Sequence, residues 1–291
     1  MSYKKTFFVF LSLLIVFPLY SKNLTFPHKK EKKVDEGEEL TAPIFKYHKV
    51  SSEVRYTKVP GETDLDESHL VVFDVQGEFT LIPKLKLFLD LPLIHRNYTE
   101  RSDSATAIGN PYAGILWEIL TGVDRDFPTF AFFEGGVKFP LHSTTAVTFN
   151  RTDIPLGFHI LKEVYYFTLG AHAGYVFKIN HDDPQDRNHG NEFYSKLSGE
   201  IHTGYGIDFS LGFLFRWADS YKDSTRKRDS QSIFTLTPQL LYQWNQDFDA
   251  WFALSMPLRD ARFNDIALVF GDFETPGLLG VTATLGGNYK F

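Results

Sequence analysis

The end of the chain alternates between apolar side chains and polar or very small ones. The apolar row, counted back by twos, is Phe291, Tyr289, Gly287, Leu285, Ala283, Val281 and Leu279. A period of two belongs to a β-strand whose two faces meet different surroundings. The pattern therefore predicts a terminal strand over 278–291, with one face in an apolar medium and the other in a wet one.

The same alternation recurs from about residue 48 onwards. It predicts strands at 48–58, 69–81, 85–96, 110–120, 129–141, 154–161, 164–178, 191–202, 207–218, 231–244, 249–259 and 278–291. Short connections (82–84, 121–128, 161–163, 203–206, 245–248) alternate with long ones (59–68, 97–109, 142–153, 179–190, 219–230, 260–277). A transmembrane barrel has short periplasmic turns, long outer loops and an even strand number. We predict an all-β fold, a transmembrane antiparallel up-and-down β-barrel of about 12 strands, in preference to a soluble β-sandwich.

The apolar rows also sort their side chains by position along the strand. Aromatic residues lie towards both ends of the rows and aliphatic residues lie between them, as in the predicted strands 164–178 and 207–218. Two aromatic belts are typical of strands that cross a membrane between two water interfaces. This zoning indicates that the apolar rows face lipid.

The beginning of the chain has the layout of an exported protein. Two lysines precede an apolar run from Phe7 to Leu19, which predicts a signal peptide over 1–21. Residues 22–47 are highly charged and predict a solvated periplasmic arm, followed by the barrel over 48–291. The chain has no cysteine, which excludes disulfides and a lipid-anchored export signal. Its net charge of −6 gives no electrostatic case for nucleic-acid binding.

The opposite rows contain many ionisable side chains, which the barrel would point into its lumen. The candidate lumen residues are Asp74, Glu78, Lys86, Asp90, Glu118, Glu134, Lys138, His172, Lys178, Lys196, Glu200, His202, Asp208, Arg216 and Arg259. Two readings stay open: the charges line a narrow aqueous path, or they pair and pack the interior shut. Glycines at 114, 136, 170, 174 and 212 either provide free volume or relieve crowding beneath Tyr112, Tyr166 and Tyr194.

The terminal strand, with Tyr289 and Phe291, resembles the closing strand of bacterial outer-membrane barrels, an end that the barrel-assembly machinery reads. Three further stretches resemble the outer-membrane barrel family named for the phenol-degradation meta pathway. They are Leu91-Pro92-Leu93, Gly109-Asn110-Pro111-Tyr112-Ala113-Gly114 and Val137-Lys138-Phe139-Pro140. The resemblance implies a barrel that transports small molecules, with hydrophobic or aromatic compounds as the implied cargo. The chain departs from the family pattern at Asn110 and at Leu141-His142.

Enzymatic and metal-binding chemistry receive little support. A surface hydrolase needs a hydroxyl beside a histidine, and we expect His95 to have Val71 and either Pro111 or Ala113 as its outward neighbours. His172 and His202 lie on adjacent strands but too far apart to share an ion. The acids at 182, 183 and 186 could hold Ca²⁺ but have no fixed ligand spacing, so a solvated loop is favoured. We therefore predict no catalytic residue, no metal site and no cofactor.

The sequence thus predicts a cell outer-membrane protein that acts as a passive channel or facilitator for small molecules. Its expected partners are outer-membrane lipid, the barrel-assembly machinery and a small-molecule cargo, with no nucleic acid. The alternatives are a structural or adhesion barrel whose long loops bind outside partners, and, further from the pattern, a lipid hydrolase. Whether the charged arm at 28–39 enters the barrel stays open.

Overall fold

The computed structural model of the protein describes residues 47–60, 67–99, 104–120, 122, 127–141, 150–181, 187–225, 227–258, 266 and 269–291. Within them the strands are β1 (Lys49–Val59), β2 (Ser68–Ile82), β3 (Leu85–Tyr98), β4 (Ser104–Ile108), β5 (Tyr112–Leu120), β6 (Thr129–Lys138), β7 (Arg151–Val164), β8 (Phe167–Asn180), β9 (Asn188–His189), β10 (Glu192–His202), β11 (Ile207–Ala218), β12 (Tyr221–Lys222), β13 (Lys227–Arg228), β14 (Gln231–Gln243), β15 (Phe248–Pro257) and β16 (Thr282–Lys290). The predicted signal peptide and nearly all of the predicted arm lie outside the described residues.

Twelve of these strands form one closed antiparallel barrel. Each pairs with its neighbours in sequence, and β16 closes the ring by pairing with β1 from Lys49↔Lys290 to Thr57↔Thr282. The short strand β4 and the strand β5 pair with successive parts of β3 and are separated by an interruption at Gly109–Pro111. Together they occupy one position in the ring. The predicted fold class and strand number are confirmed, and the alternating connection lengths are those of an up-and-down barrel.

The outer wall is apolar along its whole height. Leu91, Phe158 and Leu197 are examples of side chains that are about half exposed on this surface. Tyr165 and Tyr205, in two short turns, are the most exposed aromatic residues on one rim. An apolar band with an aromatic rim is the surface that a barrel presents to lipid and its interface. Among the described residues there is no helix long and apolar enough to cross a membrane.

One predicted turn was wrong. The polar stretch 161–163 belongs to β7, and the chain instead reverses at Tyr165–Tyr166, where Tyr165 has a φ of 54°. Turn signals are normally Gly, Asn, Asp or Pro, and here two tyrosines occupy the turn. Tyrosine is favoured at a membrane interface, so the position of the turn relative to the membrane explains a choice that turn chemistry alone does not.

A second prediction was wrong at the other end of the barrel. The connection 260–277 was expected outside, and 278–281 was expected in the terminal strand. The structure instead places residues 269–280, here called the inserted segment, against the inner wall. Its apolar side chains (Val269, Phe270, Phe273, Leu278 and Leu279) form one buried core with Ile266, with Tyr221 of β12 and with inward residues of the barrel wall. These wall residues are Val59, Leu70, Val72, Ile94, Ala107, Ala218 and Ile233. Leu279, expected to face lipid, is 3% exposed and belongs to this core.

The end of the barrel that holds the inserted segment is the end with the long connections. By the rule that relates loop length to sidedness, this is the extracellular end. A small sheet of β9, β12 and β13 lies on the same side, with Tyr221 paired to both His189 and Arg228. The short turns and the described C-terminus define the periplasmic end.

Candidate functional site: the barrel interior

The interior has two zones that differ in how far water reaches the side chains. In the extracellular half, the side chains of Lys178 and Glu192 are 1% and 2% exposed. In the periplasmic half, those of Glu200 and His202 are each 34% exposed. The inserted segment accounts for the difference, because its core residues fill the extracellular half only.

Asp272 anchors the inserted segment to strand β11. One of its carboxylate oxygens accepts a hydrogen bond from the guanidinium of Arg216 at 3.0 Å. The other accepts from the backbone N–H groups of Glu274 and Thr275 at 2.8 and 3.1 Å. The same carboxylate therefore fixes the local turn of the segment and ties that turn to the wall.

Glu274 anchors the segment on the other side of the barrel. Its carboxylate pairs with the ammonium group of Lys138 on β6 and accepts from the backbone N–H of Asn110 at 3.1 Å. Its backbone carbonyl accepts a hydrogen bond from Arg55 on β1. Because β1, β6 and β11 are distributed around the ring, contacts to all three place this part of the chain inside the barrel.

The two carboxyl groups have opposite pKa shifts. Burial acts to raise the pKa of Asp272, but Arg216 and Lys138 outweigh it and hold that pKa well below its usual range. Burial raises the pKa of Glu274, and the nearby Asp272 carboxylate adds to the increase beyond what Lys138 offsets. Asp272 is therefore the anchor that is ionised over the widest pH range.

Aromatic rings and a backbone carbonyl complete the attachment. Lys178 on β8 donates to the carbonyl oxygen of Phe270 at 3.0 Å. The guanidinium of Arg216 lies 5.0 Å from the centre of the Phe270 ring, and that of Arg96 lies 5.5 Å from the Phe273 ring. Cations at these distances from a ring centre are attracted to its face, so apolar and charged contacts stabilise the same conformation.

Wall residues near the segment are paired with one another as well. Glu192 binds Arg216 through both of its oxygens and Lys178 at 3.2 Å. Arg55 pairs with Asp74 and with Glu53, the latter at 2.8 Å. A further pair, Arg151 and Asp153, is bidentate, at 2.7 and 3.0 Å. Buried charges are tolerated only when they have such partners, and each of these buried cations is paired with a carboxylate of the wall.

The periplasmic half has smaller and wetter ion pairs. Glu78 pairs with Lys49 and with Lys86, and Lys290 pairs with Asp249 at 2.7 Å. The described strand acids that face the lumen in this half outnumber the lysines that do so: Glu78, Glu118, Glu134, Glu200, Asp208 and Asp249 stand against Lys49, Lys86, Lys196 and Lys290. Asp90 is not counted, because it interacts with Lys138 and Arg55. The chamber consequently has a negative excess facing the periplasm.

Two tyrosines lie flat on inward glycines at mid-height. A β-carbon on Gly114 or Gly136 would lie within 2.6 Å of the Tyr112 side chain, and one on Gly174 would lie 2.4 Å from that of Tyr194. These glycines relieve crowding beneath the rings, as one of the two readings proposed. Tyr166 lies in a turn instead, and a β-carbon on Gly212 would make only ordinary contacts, the nearest at 3.6 Å.

The other candidate lumen residues have simple positions. Asp90 lies opposite Gln76 and Tyr112 in register, Glu118 is buried near the periplasmic end of β5, and Lys196 lies opposite His172. Arg259 is outside the described residues, as are the loop acids at 182, 183 and 186.

Several residues of the interior were not among the candidates. Asp272 and Glu274 were assigned to an outer loop, and Arg151 and Asp153 precede the predicted start of their strand. Glu192 has the same parity as Lys196 and Glu200 in β10, so that the alternation itself could have identified it. His159, opposite His172, could have been found in the same way.

The histidine on the outer surface has a different neighbour from the one expected. His95 lies opposite Thr106 on β4, not Pro111 or Ala113, and its Nδ1 is 2.7 Å from the threonine hydroxyl. Two similar pairs, Tyr56 with His69 at 2.7 Å and Thr152 with His181 at 2.8 Å, lie near the same rim. A pair that recurs around the rim is a structural motif of the interface and does not single out a catalytic site.

The fold and the interior define the class of the protein: a closed antiparallel β-barrel of twelve strands with an apolar outer wall, whose extracellular half is filled, in the described part of the chain, by the inserted segment. Comparison with solved structures agrees with this fold. The chain is similar to the COG4313 outer-membrane channel from Pseudomonas putida F1, with a TM-score of 0.62 and 10% identity, over 84% of this chain and 95% of that one.

Two more distant similarities have the same coverage of this chain, 84%. The NanC porin has a TM-score of 0.49 at 9% identity and is covered completely, and the CymD monoaromatic hydrocarbon channel has a TM-score of 0.42 at 8% identity with 88% of its length covered. Both are too distant to support an argument about this chain. No family model matches the chain, and no curated protein matches it. The resemblance to the phenol-degradation family therefore stays a prediction, whereas the twelve-stranded barrel fold it implied is confirmed.

Proposed function

We propose that the protein is a passive channel or facilitator for small molecules in the outer membrane, and that the inserted segment is its extracellular gate. The observation that carries the proposal is the difference between the two halves of the interior. A wet, charged chamber open towards the periplasm has no evident structural purpose in a barrel built only for rigidity. The segment is not part of the ring of strands: its polar attachments include side-chain contacts from Arg55, Lys138, Lys178 and Arg216, so it can leave without disturbing the strand pairing.

The charges of the chamber favour a class of cargo. Acids exceed lysines in the described periplasmic half, and a ring of carboxylates attracts cations and repels anions. We therefore expect small cationic or zwitterionic solutes to pass more readily than anions. The hydrophobic or aromatic cargo implied by the family resemblance finds no support in this polar lining.

Planar-bilayer recording tests the proposal. The purified protein should show long closed periods and rare openings. A variant in which residues 269–277 are replaced by glycine and serine should conduct steadily. In a KCl gradient, the sign of its reversal potential should show that K⁺ permeates more readily than Cl⁻. The replacement variant must first show heat-modifiable gel migration, which establishes that the barrel has folded. A folded replacement variant with no conductance would overturn the proposal.

A structural or adhesion barrel is the second candidate. The observation that favours it is the small sheet of β9, β12 and β13, which gives the extracellular side a fixed surface. Replacing the exposed Lys222 and Lys227 of this sheet by glutamate would then abolish binding of an outside partner and leave the conductance unchanged. Catalysis is not part of either proposal, because the hydroxyl–histidine pairs on the outer wall recur without a distinct centre.

A further inference from the structure

The most unusual cluster of the interior lies below the inserted segment, on three adjacent strands. Glu134 on β6, His159 on β7 and His172 on β8 have ligand atoms that all lie within 4.8 Å of one another. His159 and His172 are direct partners in the strand register, and their rings stack with centres 3.5 Å apart. Both rings present Nε2 to the same carboxylate oxygen of Glu134, at 2.6 and 3.7 Å.

One nitrogen of this cluster has no hydrogen-bond partner. Nε2 of His172 is buried, and no donor or acceptor is within bonding geometry. Buried polar atoms are nearly always hydrogen-bonded, so that an exception needs an explanation. A β-carbon at Gly157 would be 2.6 Å from this nitrogen, which means that glycine at this position keeps the approach to it clear.

We propose that Glu134, His159 and His172 form a binding site for a divalent transition-metal ion of the zinc class, with one coordination position open to the lumen. Two imidazoles and one carboxylate form a donor set that suits such ions, whereas Ca²⁺ and Mg²⁺ prefer oxygen ligands alone. Zinc bonds of about 2.0–2.2 Å in tetrahedral geometry separate neighbouring ligand atoms by roughly 3.3 Å. The two distances to the Glu134 oxygen lie on either side of that value. Because an imidazole binds metal through a lone pair in its ring plane, the two stacked rings must tilt apart when the ion enters.

The surroundings of the three side chains support the assignment. The hydroxyl of Tyr112 donates to the second oxygen of Glu134 at 3.0 Å, which orients the carboxylate in the way that outer partners orient metal ligands. The ring of Tyr194 meets that of His172 edge-on, with centres 4.9 Å apart. The three side chains are 18–26% exposed, so an ion could enter from the wet chamber.

A second cluster in the same barrel provides a comparison. Glu200, His202 and Asp208 also have ligand atoms close together. However, His202 already uses both ring nitrogens, Nδ1 with Asp208 at 3.0 Å and Nε2 with Thr168 at 2.8 Å. Its hydrogen bonds are complete, and it has no free nitrogen for an ion. His202 is therefore the matched control.

The test is equilibrium dialysis of the full-length, untagged protein in detergent against buffered Zn²⁺, with bound metal measured by mass spectrometry. We expect one tightly bound equivalent that excess Mg²⁺ does not displace. His159→Asn or His172→Asn should lower the affinity at least 100-fold, Tyr112→Phe by about 10–100-fold as for other outer partners, and His202→Asn should leave it unchanged. Loss of the equivalent in His202→Asn, or its retention in His172→Asn, would overturn the proposal.

A second measurement does not depend on whether the variants fold. Co²⁺ added to the unaltered protein should give the intense visible absorption of a four-coordinate ion, and stoichiometric Zn²⁺ should abolish it. Absence of that absorption together with absence of bound Zn²⁺ would contradict the site directly. Neither measurement involves conductance, so the metal site and the channel can fail independently.

Discussion

Replacing Asp272 with alanine is the perturbation that addresses the gate most directly. The substitution removes the carboxylate that binds Arg216 and that also accepts two backbone hydrogen bonds within the inserted segment. Arg216 keeps its bidentate partner Glu192, and the wall should therefore stay intact. What is lost is the attachment of the segment to β11.

The magnitude follows from those contacts. The bond between Asp272 and Arg216 joins the segment to the wall, and a hydrogen bond to a charged group contributes about 1.5–3 kcal/mol. The two backbone bonds lie within the segment and can persist when it detaches, so they are not added. Since each 1.4 kcal/mol is a factor of ten, the detached population should rise on the order of 10- to 100-fold.

Single-channel recording measures this population as the open probability. Asp249→Ala is the matched control, because Asp249 is also a buried aspartate in an ion pair, with Lys290 at 2.7 Å, but lies at the periplasmic end. We expect Asp272→Ala to be open far more often and Asp249→Ala to keep the closed periods of the unaltered protein. Equal open probabilities in folded Asp272→Ala and in the control would refute the reasoning.

Packing in the barrel interior, titration of the inserted segment and assembly of the barrel can each be tested separately. Gly136→Ala should lower the temperature of heat modification, because its β-carbon would overlap the ring of Tyr112 and overpacking costs about 1–3 kcal/mol, whereas Gly212→Ala should not; equal shifts in both would contradict the packing. The pKa of Asp272 is depressed in the attached state, so its contribution to attachment is present above the usual value of 3.8 and is lost as the pH falls below it. Because the pKa of the second anchor, Glu274, is raised, the measurement is made in Glu274→Gln, and conductance of that variant that rises already between pH 7 and 5 would argue against Asp272 as an anchor. Deleting Phe291 should reduce the amount of folded barrel recovered from outer membranes without changing the conductance of the molecules that do fold.

The barrel itself could be predicted from the sequence because the membrane imposes a period-two pattern on every strand. All twelve predicted strands overlap observed ones, and the closing strand ends with Tyr289 and Phe291 on the outer surface, as expected. The turn was predicted at 161–163 and lies at Tyr165–Tyr166, because the membrane interface, and not turn chemistry, selects its residues. The alternation therefore indicates which face a residue occupies more reliably than where a strand ends.

The inserted segment could not be predicted in the same way. Its apolar residues, such as Phe270 and Phe273, have no strand period, and their burial depends on inward apolar residues from distant strands, such as Leu70 and Ile233. Asp272 and Glu274 are unremarkable acids until the fold brings Arg216 and Lys138 opposite them. The alternation along each strand could identify the charged residues of the inner wall. It could not identify Asp272 and Glu274, the acids of the inserted segment with which two of them pair.

Water reaches the periplasmic half of the interior, and the inserted segment excludes it from the extracellular half. The chain has no cysteine, so single-cysteine variants can report access without a background. In the folded protein, a water-soluble thiol reagent should modify Ser210→Cys in the lower chamber rapidly and should not modify Ala218→Cys beneath the segment until Asp272 is also replaced. Rapid modification of Ala218→Cys with Asp272 intact, or protection of Ser210→Cys, would contradict the account.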